Sequence, residues 1–130
     1  LPQDIVVLDE TYNAGLESML AALQMLKNTP GKRHIGVLGT MKELGEYSAG
    51  LHHQVGKKAQ ELDLDLLLVL ADENSTQEIT KGADKIDSEY FSDRETLIAK
   101  LKKIIKPGDR ILCKASNSVG LDRVVEALIK

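Results

Sequence analysis

The 130-residue sequence predicts a single α/β domain, a mostly parallel sheet with helices on both faces. Three observations carry that expectation. Short apolar runs alternate with stretches of helical apolar spacing all along the chain. One run, Leu66–Ala71, is apolar at every position, as a parallel strand covered on both sides must be. No repeat, low-complexity tract or long linker divides the chain, and its length suits one core.

The elements follow in order. Ile5–Leu8 is the first strand, and Asp9–Ala14 the loop after it. Leu16, Met19, Leu20, Leu23 and Leu26 form a one-sided helical stripe, which should stop near Thr29-Pro30-Gly31 because proline and glycine break helices. Ile35–Leu38 is the second strand, ending at Gly39-Thr40, with a loop over Met41–Tyr47. A second helix begins near Ser48 and buries Leu51, Val55, Ala59 and Leu62. After the third strand, Leu66–Ala71, Ser75-Thr76-Gln77-Glu78 reads as a capping box opening a helix. Glu89–Phe91 fits a short strand. Ser92-Asp93-Arg94-Glu95 repeats the capping pattern ahead of Leu97, Ile98, Leu101, Ile104 and Ile105. Pro107-Gly108-Asp109 makes a turn, Arg110–Lys114 the last strand and Ser118–Ile129 the last helix.

Composition narrows the function classes. A net charge of −3 and a pI near 5.6 point away from nucleic acid and anionic membranes as partners. No apolar stretch approaches the length needed to cross a bilayer, and no signal-like segment opens the chain, so a cytoplasmic protein is expected. The single cysteine, Cys113, lies in an apolar run and reads as a buried thiol in a reducing compartment. Aromatic content of 3% leaves few platforms for stacking bases or sugars.

Ligands of open parallel sheets bind beyond the carboxyl ends of the strands, where loops and helix N-termini gather. At those ends stand Asp9-Glu10, Gly39-Thr40, Ala71-Asp72 and Lys114-Ala115-Ser116-Asn117. Each has a structural alternative. The two carboxylates can equally cap the next helix, though Tyr12 and Asn13 stand between them and its start. Lys114 can be a solvated strand end, or with Ser116-Asn117 a place to hold an anion. Asp72-Glu73-Asn74 reads as a solvated turn. His52 and His53 read as surface or half-buried residues, since no cysteine or paired acid stands at metal-ligand spacing. No phosphate loop, dinucleotide fingerprint or nucleophile elbow occurs. The chain reads as one wall of a site, with no complete catalytic set of its own.

Three segments resemble a known family. Residues 8–23, LDETYNAGLESMLAAL, are similar to the D-D-x-Y-N-A-N-P-x-S-M segment opening the C-terminal domain of MurF-type Mur ligases. Residues 35–56, IGVLGTMKELGEYSAGLHHQVG, resemble that family's V-L-G-D-M-x-E-L-G…H…V-G segment. LCKASNSVGLDRVVEAL resembles its K-G-S-R…E-x-V-V-x-x-L closing stretch more loosely. Glu10, Gly15, Leu16, Thr40, Ala115 and Asn117 depart from the pattern, and neutral Asn117 cannot supply an arginine's two-pronged grip on an anion. The D-N-P-R motif usual in the related ligase adding the third stem residue is absent, which favours the dipeptide-adding branch.

The resemblance implies a Rossmann-like C-terminal domain of an ATP-dependent ligase of peptidoglycan synthesis. Such an enzyme joins D-alanyl-D-alanine to UDP-N-acetylmuramoyl-tripeptide through an acyl phosphate. An N-terminal UDP-binding domain and a central domain holding ATP and Mg²⁺ would lie outside this chain. By the same resemblance Asp9, Glu10, Tyr12 and Asn13 would meet ATP. Lys114, Ser116, Asn117 and Thr40 would face the substrates, with no metal ligand here and no catalysis by this domain alone. A second reading is a phospho-acceptor receiver domain, with Asp72 as acceptor and Lys114 as sensor. Glu73-Asn74-Ser75 after Asp72 and Ala115 after Lys114 break that family's pattern. A non-catalytic binding module is a third.

Overall fold

The computed structural model describes residues 3–10, 15–71, 73–116 and 120–129. Five strands, β1 (Val6–Glu10), β2 (Arg33–Gly39), β3 (Leu66–Leu70), β4 (Ser88–Phe91) and β5 (Asp109–Lys114), alternate with five helices. These are α1 (Leu16–Asn28), α2 (Ser48–Glu61), α3 (Glu78–Gly82), α4 (Arg94–Ile104) and α5 (Asp122–Ile129). The strands make one sheet in the order β1-β5-β2-β3-β4, and every pairing is parallel.

Because side chains alternate across a strand, the apolar strands serve two cores at once. Leu38, Leu67, Val69 and Leu112 pack with Met19, Leu23, Val55 and Ile79 on the α1–α3 face. Ile35, Val37, Leu68, Leu70, Ile111 and Cys113 pack with Leu97, Leu101, Val124 and Leu128 on the α4–α5 face. The connections through α1, α2 and α3 carry the chain across the sheet on one face. The connection through α4 returns it on the other, which inserts β5 between β1 and β2.

Several local expectations need correction. Asp9 and Glu10 belong to β1, not to the loop, because they extend the ladder opposite Cys113 and Lys114. Ser75 does not cap α3. A 3-10 turn over Asn74–Gln77 precedes that helix, and the Ser75 hydroxyl turns to Ser48. At α4 the cap is Asp93, one residue later than the Ser92 pattern implied, and its carboxylate accepts the Thr96 amide. The last helix begins at Asp122, after Gly120 at φ 82°, and Ser118 lies outside the described residues. Gly56 of α2 and Gly82 of α3 let two backbones touch. A Cβ on Gly56 would stand 2.8 Å from the Ile79 carbonyl carbon and nearer still to its oxygen.

Candidate functional site at the end of the fifth strand

The chain leaves β5 for α5 on one face, whereas it leaves the neighbours β1 and β2 for α1 and α2 on the other. Loops that diverge in this way open a crevice at the carboxyl end of the strand between them. Lys114 closes β5 at that point, in register with Glu10 on one side and Leu38 on the other. It is only 4% exposed, and by alternation from Leu112 it stands on the α1 face. A lysine so enclosed is held rigidly, the condition under which a cation acts most strongly on an anion.

Asp9 and Glu10, adjacent in the ladder, lie on opposite faces of the sheet. Glu10 shares the Lys114 side. Asp9 is in register with Cys113, and the buried Cys113 thiol is pushed up to about 12, first by burial and then by the Asp9 carboxylate. Both carboxylates are exposed. The described rim therefore offers acceptors for sugar hydroxyls and a cation for phosphate, the chemistry a nucleotide requires. Among the described residues no group of three or more His, Cys, Asp or Glu is placed to hold a metal ion.

Behind the rim lies a buried polar network. The Ser116 amide donates to the Thr40 carbonyl at 3.0 Å, and the Lys42 amide donates to the Ser116 hydroxyl oxygen at 2.9 Å. Thr40 is fully buried, and its hydroxyl pairs with that of Thr76 at 2.6 Å. The Thr40 side chain thus faces the interior, and what it presents at the rim is the backbone it fixes. The Ser48 and Ser75 hydroxyls share a 2.7 Å hydrogen bond, and Lys42 Nζ meets Glu73 Oε2 at 2.8 Å. Together these contacts tie the loops after β2, β3 and β5 to one another.

His52 is at the centre of this network and is fully buried, contrary to the surface or half-buried position expected of it. Its Nε2 accepts the Met41 amide at 2.9 Å, and its Nδ1 donates to the Ser48 carbonyl at 2.7 Å. The spacing of Ser48, His52, Val55 and Ala59 places the histidine on the buried stripe of α2, a signal the sequence contains. His53, by contrast, is half-buried and pairs with Glu78 at 3.3 Å. At the other end of the sheet Arg33 grips buried Asp109 through two hydrogen bonds of 2.9 and 2.7 Å, a contact between strand starts.

Four predicted site residues, Glu10, Thr40, Lys114 and Ser116, thus gather around the end of β5, with Asp9 on the opposite face. Tyr12, Asn13 and Asn117 lie outside the described residues, as does Asp72. No described helix is long and apolar enough to cross a membrane.

Comparison with known proteins identifies the family and the fold. Residues 2–117 match the family described as Mur ligase, glutamate ligase domain. A UDP-N-acetylmuramoyl-tripeptide–D-alanyl-D-alanine ligase of Synechocystis is 55% identical over 98% of the chain, and the chain spans 28% of it. The Escherichia coli enzyme of that name is 36% identical over 98% of the chain and is likewise spanned for 28% of its length. The crystal structure of the MurF ligase from Thermotoga maritima in complex with ADP superposes with a TM-score of 0.83. It has 33% identity, and the match covers 98% of this chain and 28% of that one. Nothing in these likenesses supports the receiver reading. The chain belongs to the Mur ligase family, whose glutamate ligase domain it carries.

Proposed function

We propose that this chain is the closing C-terminal wall of an ATP-dependent ligase. That ligase adds D-alanyl-D-alanine to UDP-N-acetylmuramoyl-tripeptide in peptidoglycan synthesis in the cytoplasm. Its relatives bear the name of that activity, and one of them holds ADP. An N-terminal UDP-binding domain and a central domain holding ATP and Mg²⁺ would complete the site. The observation carrying the reading is Lys114, enclosed at the point where the strand connections diverge, beside Glu10 and one residue from Ala115-Ser116.

ATP supplies the phosphoryl group that activates the substrate carboxylate. The work of this chain is to orient and to balance charge. Asp9 and Glu10 accept hydrogen bonds from the nucleotide's hydroxyls, and Tyr12 and Asn13 both donate to it and accept from it. Lys114 offsets the negative charge that develops on the phosphorylated carboxylate. The Ser116 oxygen is held by the Lys42 amide, and the hydroxyl directs its own hydrogen toward the substrates, beside Asn117. Thr40 contributes by fixing the backbone of the loop after β2.

The test is Lys114→Met in the full-length enzyme, which keeps the side chain's length and removes its charge. Loss of one such charge-stabilising contact should lower kcat by about 10²–10³-fold with the fold intact. A folded variant with unchanged kcat overturns the assignment.

A further inference from the structure

We propose that His52 is a positioning residue, whose neutral Nδ1–H form holds the rim loops in the arrangement the proposed ligase reaction requires. The inference rests on the function proposed above and adds to it a residue that contacts no substrate. His52 is fully buried, so both ring nitrogens must find partners inside the protein. They find backbone of opposite polarity: the Met41 amide donates to Nε2, and the Ser48 carbonyl accepts from Nδ1. Only one protonation state satisfies both, the neutral ring with its hydrogen on Nδ1. Free histidine prefers the other tautomer, so this one is imposed by the fold.

What the ring joins gives it consequence. Met41 and Lys42 directly follow Thr40, and Ser48 opens α2, so His52 closes the loop between them from within. The next amide, that of Lys42, holds the Ser116 hydroxyl. The Thr40 carbonyl receives the Ser116 amide, which fixes the chain two residues beyond Lys114. Ser48, with its hydroxyl 3.2 Å from Nδ1, passes the restraint on to Ser75 in the loop after β3. One imidazole thereby sets the relative placement of three strand ends. Glu43 at φ 63° and Gly45 at φ 59° show that the loop it closes follows an unusual backbone path, one that needs such a restraint.

Two measurements test the proposal. Nitrogen-15 NMR of the imidazole in this chain at neutral pH should show the Nδ1–H tautomer; the Nε2–H form or an imidazolium overturns it. In the full-length ligase, His52→Leu removes both contacts, whereas His52→Gln can return an acceptor to the Met41 amide. Assayed where both variants are folded, the leucine variant should lose about tenfold or more in kcat, since a 1 Å misplacement can cost about 10²-fold. The glutamine variant should recover most of that loss. A folded leucine variant with wild-type kcat, or no recovery by glutamine, overturns the positioning role. If the leucine variant does not fold, His52→Asn takes its place, because its shorter amide reaches the Ser48 side and leaves the Met41 amide unpaired. An unmodified full-length enzyme without ligase activity overturns the proposed function itself, an outcome distinct from any change between variants.

Discussion

The contact between α2 and α3 holds the loop after β3 against the rest of the rim, and it depends on two glycines. Replacing Gly56 by alanine tests this. The new Cβ would lie 2.8 Å from the Ile79 carbonyl carbon and 3.0 Å from the Ala83 nitrogen, both backbone atoms that cannot rotate away. The Ile79 carbonyl oxygen would be nearer still, and ordinary contacts need about 3.5–4.0 Å, so α3 must retreat by more than about 1 Å. Against this stands a gain of about 1 kcal/mol from alanine's better helix propensity. Overpacking of this kind costs about 1–3 kcal/mol. Retreat of α3 also loosens Ile79, which is fully buried, and draws Thr76 from Thr40, a hydrogen bond worth about 1 kcal/mol. The balance favours a net destabilisation of about 2 kcal/mol. In urea, with a slope of about 1–3 kcal/mol/M, the midpoint should fall by roughly 0.7–2 M at unchanged slope. Gly82→Ala should act in the same direction, since its Cβ would meet the His53 carbonyl and stand 3.0 Å from the Lys57 nitrogen. A Gly56→Ala midpoint equal to or above that of the parent sequence would refute the reasoning, because helix propensity would then have outweighed a contact said to be immovable.

Two further outcomes follow from the buried groups. Thr40→Val removes the hydroxyl that pairs with buried Thr76 and should cost about 1–3 kcal/mol in a denaturant melt, whereas adding Thr76→Val should recover part of the loss. For Cys113, the thiol's ordinary value is 9.0 and the fold raises it to about 12, so the folded state favours the neutral form. Its contribution is therefore complete below pH 9 and is lost as the pH climbs toward 12. Melting temperatures of the protein and of Cys113→Ala should accordingly converge over that range. Iodoacetamide at pH 8 should label the thiol only on unfolding.

Much of the architecture was legible because its signals are local. Leu66–Ala71 announces a strand covered on both faces, and the Leu16–Leu26 stripe announces α1, from side-chain periodicity alone. The strand order was not legible. That β5 enters between β1 and β2 depends on contacts some hundred residues apart, for which neither run carries a label. The same long-range pairing moved Asp9 and Glu10 from a loop into the ladder and onto opposite faces. The burial of His52 is hidden for a related reason: a polar residue on an apolar stripe looks solvated unless its two backbone partners, Met41 and Ser48, are known. Ser-x-x-Glu at Ser75 satisfies a local capping rule, while tertiary contact with Ser48 claims its hydroxyl. Lys114 closes β5 and Ser116 follows two residues beyond it, positions legible from the rule that polar groups gather past the ends of parallel strands.

The central claim is that the carboxyl end of β5 and its neighbours face the nucleotide and substrates of a ligase. Hydrogen–deuterium exchange of the full-length enzyme, with and without an ATP analogue and the tripeptide substrate, tests it most directly. Exchange should slow across residues 41–47 and 115–121 and stay unchanged at the Arg33–Asp109 end of the sheet. Unchanged exchange at both rim segments, with protection appearing at that opposite end, would contradict it.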